Sequence, residues 1–246
     1  MGRVGQSRRS SYRDAAASRL TPGKRALTST GTPAGGRAVP LLLLAGFEPF
    51  GGERFNPSGQ IARQLEGEVI GGLLVRALEL PVTYGRAPAL LARAIAELSP
   101  AAMLGLGQAG ARAAIALERI AINLMDSTAP DNAGGRMRDQ RVVVGGPDAY
   151  FARLPLRQIM RALDRRHIPC ELSLSAGSFL CNAVMYAGLH ELRRRPHVPC
   201  GFLHLPYDTA QAVHHRGTPS LPLDLMAAAV RTAIAVIGAW RFKAAS

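Results

Sequence analysis

Six short apolar runs, separated by stretches of helical periodicity, constrain this chain more than any other feature. The runs are VPLLLLAG (39–46), LLVRALELPV (73–82), AAMLGLG (101–107), ERIAINLM (118–125), CELSLSA (170–176) and GFLHLPY (201–207). Several are nearly continuous in apolar residues, the pattern of strands covered on both faces. The segments between them read as helices. PSGQIARQLEGE places Pro57 in a first turn and spaces Ile61 and Leu65 four apart. APALLARAIAEL repeats apolar residues at helical spacing, and LPLRQIMRALDRRH ends in a cationic turn suited to a helix C-terminus. Residues 180–194 and 222–239 complete the set. Strands alternating with helices predict an α/β fold, a three-layer α/β/α sandwich around a mostly parallel or mixed twisted sheet. No period of a solenoid kind recurs. With 246 residues and 48% of them hydrophobic, the chain can bury one substantial core, and residues 39–246 are expected to form a single domain.

The net charge of +13 suggests a nucleic-acid partner until its distribution is read. Residues 1–38 hold eight cations (Arg3, Arg8, Arg9, Arg13, Arg19, Lys24, Arg25 and Arg37) against Asp14, so seven of the thirteen net charges lie in a Ser-, Gly-, Thr- and Ala-rich stretch. Such a composition buries too little apolar surface to offset its ordering entropy, and a disordered basic tail is expected. It lacks the apolar run of a secretory signal. A solvated tail, residues added by an upstream start codon and a nucleic-acid-binding arm are the three readings. The first two are favoured, because a basic tail without aromatic or groove-reading partners holds polyanions weakly. No nucleic-acid partner is therefore expected. LMAAAVRTAIAVIGAW (225–240) is the most membrane-like segment, but Arg231 interrupts it and it is shorter than a span requires, so a buried helix and no membrane partner are expected. The cysteines, Cys170, Cys181 and Cys200, are odd in number and lack paired spacing, which fits a reducing compartment. Without a CxxC or a His-rich cluster, no metal is indicated.

In doubly wound sheets the chemistry gathers beyond the carboxyl ends of the strands. The first run enters GFEPFGGERFNPSG (46–59), where Gly46, Gly51 and Gly52 allow sharp turns and Phe47 and Phe50 either cap the core or wall a small flat ligand. These glycines do not form GxGxxG, and GLGQAGAR (105–112) is followed by no Walker lysine, so neither nucleotide motif is present. Gln108 offers an amide at a strand end. Glu118 beside Arg119 is either a surface ion pair or a carboxylate that orients a histidine. His204 is either a core histidine or a general base near a strand's carboxyl edge. Cys181, in SAGSFLCNAVMY (175–186), is either a small buried hydrophobe or a nucleophile at a helix N-terminus, where thiols fall below their free value of about 8.5. Cys170 and Cys200 begin strands and read as structural. The residues alone thus allow a Cys–His–Glu hydrolase without demanding one.

Taken together, GFEPFGG…NPS, GQAG.R…ERIAIN, PDN.G, SAGSFLCN..MY and FLHLPY, spread in order over about residues 40–210, resemble the motifs of the pyroglutamyl peptidase I (pyrrolidone-carboxylate peptidase) family. The resemblance implies a cytoplasmic cysteine peptidase that removes N-terminal pyroglutamate from peptides, needs no cofactor and forms a homo-oligomer, commonly a tetramer. It assigns Cys181 as nucleophile, His204 as base and Glu118 as acid. It places Phe47 and Phe50 against the substrate ring, Asn56 and Gln108 as polar contacts, and Phe179 and Leu180 in the pocket. The chain departs from the family at Thr128 and Ala129, where arginine and isoleucine are usual, and at Ala111, where glycine is usual. The first pair of departures keeps two alternatives open: a thiol hydrolase of another blocked amide, or a weakly active paralogue with an interaction role.

Overall fold

A computed structural model of the chain describes residues 38–244; the basic segment falls outside the described residues. The central sheet has seven strands, β1 (Leu41–Phe47), β2 (Val69–Ile70), β3 (Leu73–Leu80), β4 (Ala102–Gln108), β5 (Ile115–Glu118), β10 (Cys170–Ser173) and β11 (Cys200–Leu205), in the order β10-β5-β11-β4-β1-β3-β2. It is mixed: β11, β4, β1 and β3 run parallel, while β5 is antiparallel to β11 and β2 to β3. Outside this sheet, β6 (Ile120–Ile122) pairs with β9 (Ala149–Phe151), β7 (Met125–Ser127) with β8 (Met137–Gln140), and β12 (Tyr207–Asp208) with β13 (Ser220–Leu221).

The helices divide between the two faces according to where the strands point their apolar side chains. On one face α1 (Pro57–Gln64), α3 (Leu156–Asp164) and α6 (Leu223–Ala244) cover Leu42, Leu44, Leu104, Leu106, Ile115, Leu117, Leu203 and Leu205. On the other, α2 (Arg86–Leu98) and α4 (Leu180–Glu191) cover Leu43, Ala45, Phe47, Met103, Cys200 and Phe202. The one remaining helix among the described residues is the single turn α5 (Thr209–Ala212). Period-two alternation therefore buries both faces of β1, β4 and β11, which is why those strands read as unbroken apolar runs. Helix α6 is long and apolar enough to cross a membrane, yet Met226, Val230, Ala233, Ile234 and Ile237 lie in the first core. Arg231, the residue that breaks its hydropathy, is half-buried and pairs with Glu68.

Two expectations are corrected. The run 118–125 is not one strand: the sheet strand is β5, which ends at Glu118, and the run beyond it splits into β6 and β7 outside the sheet. Main-chain pairing of Ile115–Glu118 with β10 and β11 decides this, since local composition does not distinguish 115–118 from 120–125. Gly46 does not turn the chain. It lies within β1, and a Cβ there would stand 2.3 Å from the Ser58 carbonyl oxygen, while one on Gly59 would stand 2.4 Å from the Phe47 carbonyl oxygen. The pair lets α1 sit directly on β1.

Candidate active site

Glu118 is opposite Phe202 in the antiparallel β5–β11 register, and His204 is two residues further along β11. The two side chains thus share the face covered by α4 as a diagonal pair, within reach of one another for long side chains. Glu118 Oε1 meets His204 Nδ1 at 2.8 Å, and both residues are buried. Across β11, His204 pairs with Gly107 of β4. A Cβ at Gly107 would stand 2.7 Å from Cys181 Sγ and 2.8 Å from Phe202 Cζ, so the missing side chain makes the room that the sulfur occupies.

Cys181 is the second residue of α4, whose N-cap, Phe179, has extended backbone and no capping side chain. The N–H groups of Leu180 and Cys181 meet no acceptor among the described residues, as expected at an uncapped helix start. Asn182 fixes this first turn in place: its side chain accepts from Ile122 N and donates to the carbonyls of Ile122 and Leu124, each at 2.9 Å. Burial pushes the His204 imidazole down. The charge and hydrogen bond of Cys181, followed by the bond and charge of Glu118, outweigh it and raise the ring to about 9 from 6.5. The other two thiols are raised by their surroundings. Burial pushes Cys200 up to about 12, and burial and Asp164 push Cys170 up to about 11.

Sulfur and imidazole open on a cleft of about 190 Å³ lined by Phe47, Phe50, Val82, Ala176, Phe179 and Leu180, with Asn56 and Gln108. The rings of Phe50 and Phe179 are 6.5 Å apart, and Tyr84 meets Phe179 edge-on at 5.3 Å. All nine residues singled out in the sequence therefore meet at one place. Their side chains are not equally available. Asn56 is the N-cap of α1, its Oδ1 accepting from Ser58 N and Ser58 Oγ and its Nδ2 donating to the Glu48 carbonyl. Most of its hydrogen-bonding capacity holds the loop rather than facing the cleft. Thr128 and Ala129 are exposed and line no part of the cleft.

Residues that the sequence reading left without a role complete the site. Arg112, the arginine of GQAG.R, reaches Glu118 Oε1 at 3.4 Å, Glu171 at 3.2 Å, Ser173 Oγ at 3.4 Å and the Ser175 carbonyl at 3.2 Å. It compensates a fully buried carboxylate whose Oε2 has no hydrogen-bond partner among the described residues. In PDN.G, Asp131 accepts from the backbone of Tyr84, Ala133 and Gly135, and Asn132 donates to Glu48 and to the Pro49 carbonyl. That motif ties the 124–136 segment to the aromatic wall. Its fixed spacing was the available signal, but the bonds that tie it to Tyr84, Glu48 and Pro49 span 47 or more positions.

A carboxylate, an imidazole and a thiol beside an aromatic cleft on an α/β/α sandwich define a class, the hydrolases of the cysteine-peptidase type. Residues 41–239 match the profile described as pyroglutamyl peptidase, and the chain belongs to that family. It is 49% identical over 193 residues to a pyrrolidone-carboxylate peptidase of Chromobacterium violaceum, covering 78% of this chain and 90% of the relative. It is 46% identical over 195 residues to one from Klebsiella pneumoniae, covering 79% and 91%. Among solved structures, the pyrrolidone carboxyl peptidase of the hyperthermophile Pyrococcus furiosus superposes with a TM-score of 0.78 at 39% identity, covering 81% of this chain and 99% of that one.

Proposed function

We propose that this protein hydrolyses the amide bond after an N-terminal pyroglutamyl residue, with Cys181 as nucleophile, His204 as proton carrier and Glu118 as the group that orients it. The observation that carries the reading is the buried 2.8 Å contact of Glu118 with one imidazole nitrogen, while His204 and Cys181 both line the cleft. The pyroglutamyl ring is flat and carries no charged amine. Phe47, Phe50 and Phe179 supply apolar walls for it, Leu180 closes the pocket, and Gln108 and the edge of Asn56 supply polar contacts. A free α-ammonium would lose its hydration against these rings with no partner, which is the physical basis of the specificity.

The sulfur of Cys181 attacks the pyroglutamyl carbonyl carbon, forming a C–S bond and pushing the carbonyl electrons onto oxygen. The unpartnered N–H groups at the start of α4 suit that oxyanion. As the intermediate collapses the C–N bond breaks, and His204 gives its proton to the leaving amine. The neutral imidazole then takes a proton from water, the resulting hydroxide attacks the thioester, and the C–S bond breaks to release pyroglutamate and the thiol. Glu118 holds the Nδ1 proton, so Nε2 is the nitrogen that works on the sulfur side. Wild-type protein is expected to release fluorophore from a pyroglutamyl amide, and Cys181→Ala to abolish that release. Full activity of Cys181→Ala would remove the thiol from its role.

Free thiols at all three cysteines and the need for a reduced nucleophile support a cytoplasmic location. Homo-oligomerisation, as a tetramer, is proposed from the family resemblance and is read by sedimentation. The absence of a nucleic-acid partner is read by a gel shift, in which a salt-dependent complex would contradict it.

A further inference from the structure

We infer that Gln211, outside the cleft, fixes which end of the Gln108 amide faces the substrate, and so makes the site select a ring that carries a carbonyl oxygen. The inference rests on the reading of the cleft as a pyroglutamyl site. A backbone N–H can only donate. The backbone N–H of Asp208 donates to Gln211 Oε1 at 3.1 Å. Gln211 Nε2 is therefore its donor end, and it faces acceptors only: Glu53 Oε2 at 2.9 Å, the Phe55 carbonyl at 3.3 Å and Gln108 Oε1 at 3.0 Å. Gln211 is 1% exposed and belongs to the capping box of α5, so its amide has no route to turn over without losing every one of these bonds.

With Oε1 of Gln108 engaged, Nε2 is the end left for the cleft. It has no protein acceptor among the described residues and is not among the sealed polar atoms. A cleft-facing amide nitrogen donates and cannot accept. Gln108 therefore suits the lactam oxygen, not the lactam N–H, and its orientation is set by a residue that touches no substrate. Gln211 is a positioning residue.

The test measures binding without turnover, as protection of Cys181 in the full chain from iodoacetamide. The probes are 3-oxocyclopentanecarboxamide and cyclopentanecarboxamide, which share the ring and differ in the carbonyl oxygen. Wild type is expected to prefer the ketone ring by about tenfold, the worth of one buried hydrogen bond. Gln211→Met is expected to bring the preference to within about twofold by weakening the ketone ring alone. Added to Gln108→Met, it is expected to change the ratio no further. An unchanged preference in Gln211→Met, or equal weakening of both rings, overturns the inference. Should Gln211→Met fail to fold, Gln108→Glu carries the test, because it keeps the bond from Gln211 and turns the cleft-facing end into an acceptor. Retained ketone preference in that variant overturns the inference. Wild type that shows the ring preference yet cleaves no pyroglutamyl amide would instead sink the proposed reaction and leave the orientation standing.

Discussion

At the scale of single residues, His204 decides how the site behaves with pH. Its imidazole is raised to about 9, so at neutral pH it carries the proton that the leaving amine needs. Because the shift is upward, what the pairing contributes is fully present below about 6.5 and fades as pH rises through about 9. The alkaline limb of kcat/KM is accordingly expected near 9. Glu118→Gln removes one cause of the upward shift, so the limb moves to lower pH and kcat falls by roughly 10³-fold or more. A limb that stays in place in Glu118→Gln would show that Glu118 does not act on the imidazole. Gly107 belongs to the same scale. Alanine there brings a methyl group within 2.7 Å of the sulfur. Gly107→Ala is expected to lose alkylation of Cys181 by iodoacetamide and turnover in parallel, which rate measurements on both reactions would read.

At the scale of elements, Asn56 shows how a motif residue can serve the site by building the element next to it. Its Oδ1 caps α1 and binds Ser58 Oγ, which in turn accepts from Phe47 N, so one asparagine sets both the helix start and the end of β1. Asn56→Ala is expected to cost about 1 kcal/mol of stability, read by urea unfolding. No loss would mean that the cap does not stabilise α1. The elements were unevenly legible in the sequence. Helices α1, α2, α3, α4 and α6 and strands β1, β3, β4, β10 and β11 announce themselves through periodicity or unbroken apolarity. Strand β5 does not, because four residues next to another apolar run carry no boundary signal of their own. The ribbons β6–β9 and β7–β8 are three or four residues per strand and mostly half-exposed, so tertiary pairing makes them, not propensity. The candidate triad was legible as residue types at strand and helix ends. The Glu118–His204 diagonal was not, since it depends on a register between strands 86 residues apart. Nor was the Gln211–Gln108 bond, which spans 103.

At the scale of the whole molecule, the sheet assembles the site from its least symmetrical part. Cys181 and His204 come from elements in the middle of the fold, but Glu118 comes from β5, which runs against its neighbour β11 and is shielded from the sheet's edge only by the four-residue β10. That margin opens at lower free energy than the centre, because fewer paired neighbours must be given up. Amide exchange at 115–118 is therefore expected to be faster than at 103–106, and heat inactivation to precede the loss of global helical signal. Coincident transitions would contradict this. Built this way, the protein would disarm itself on warming while still largely folded, with no effector and no second site.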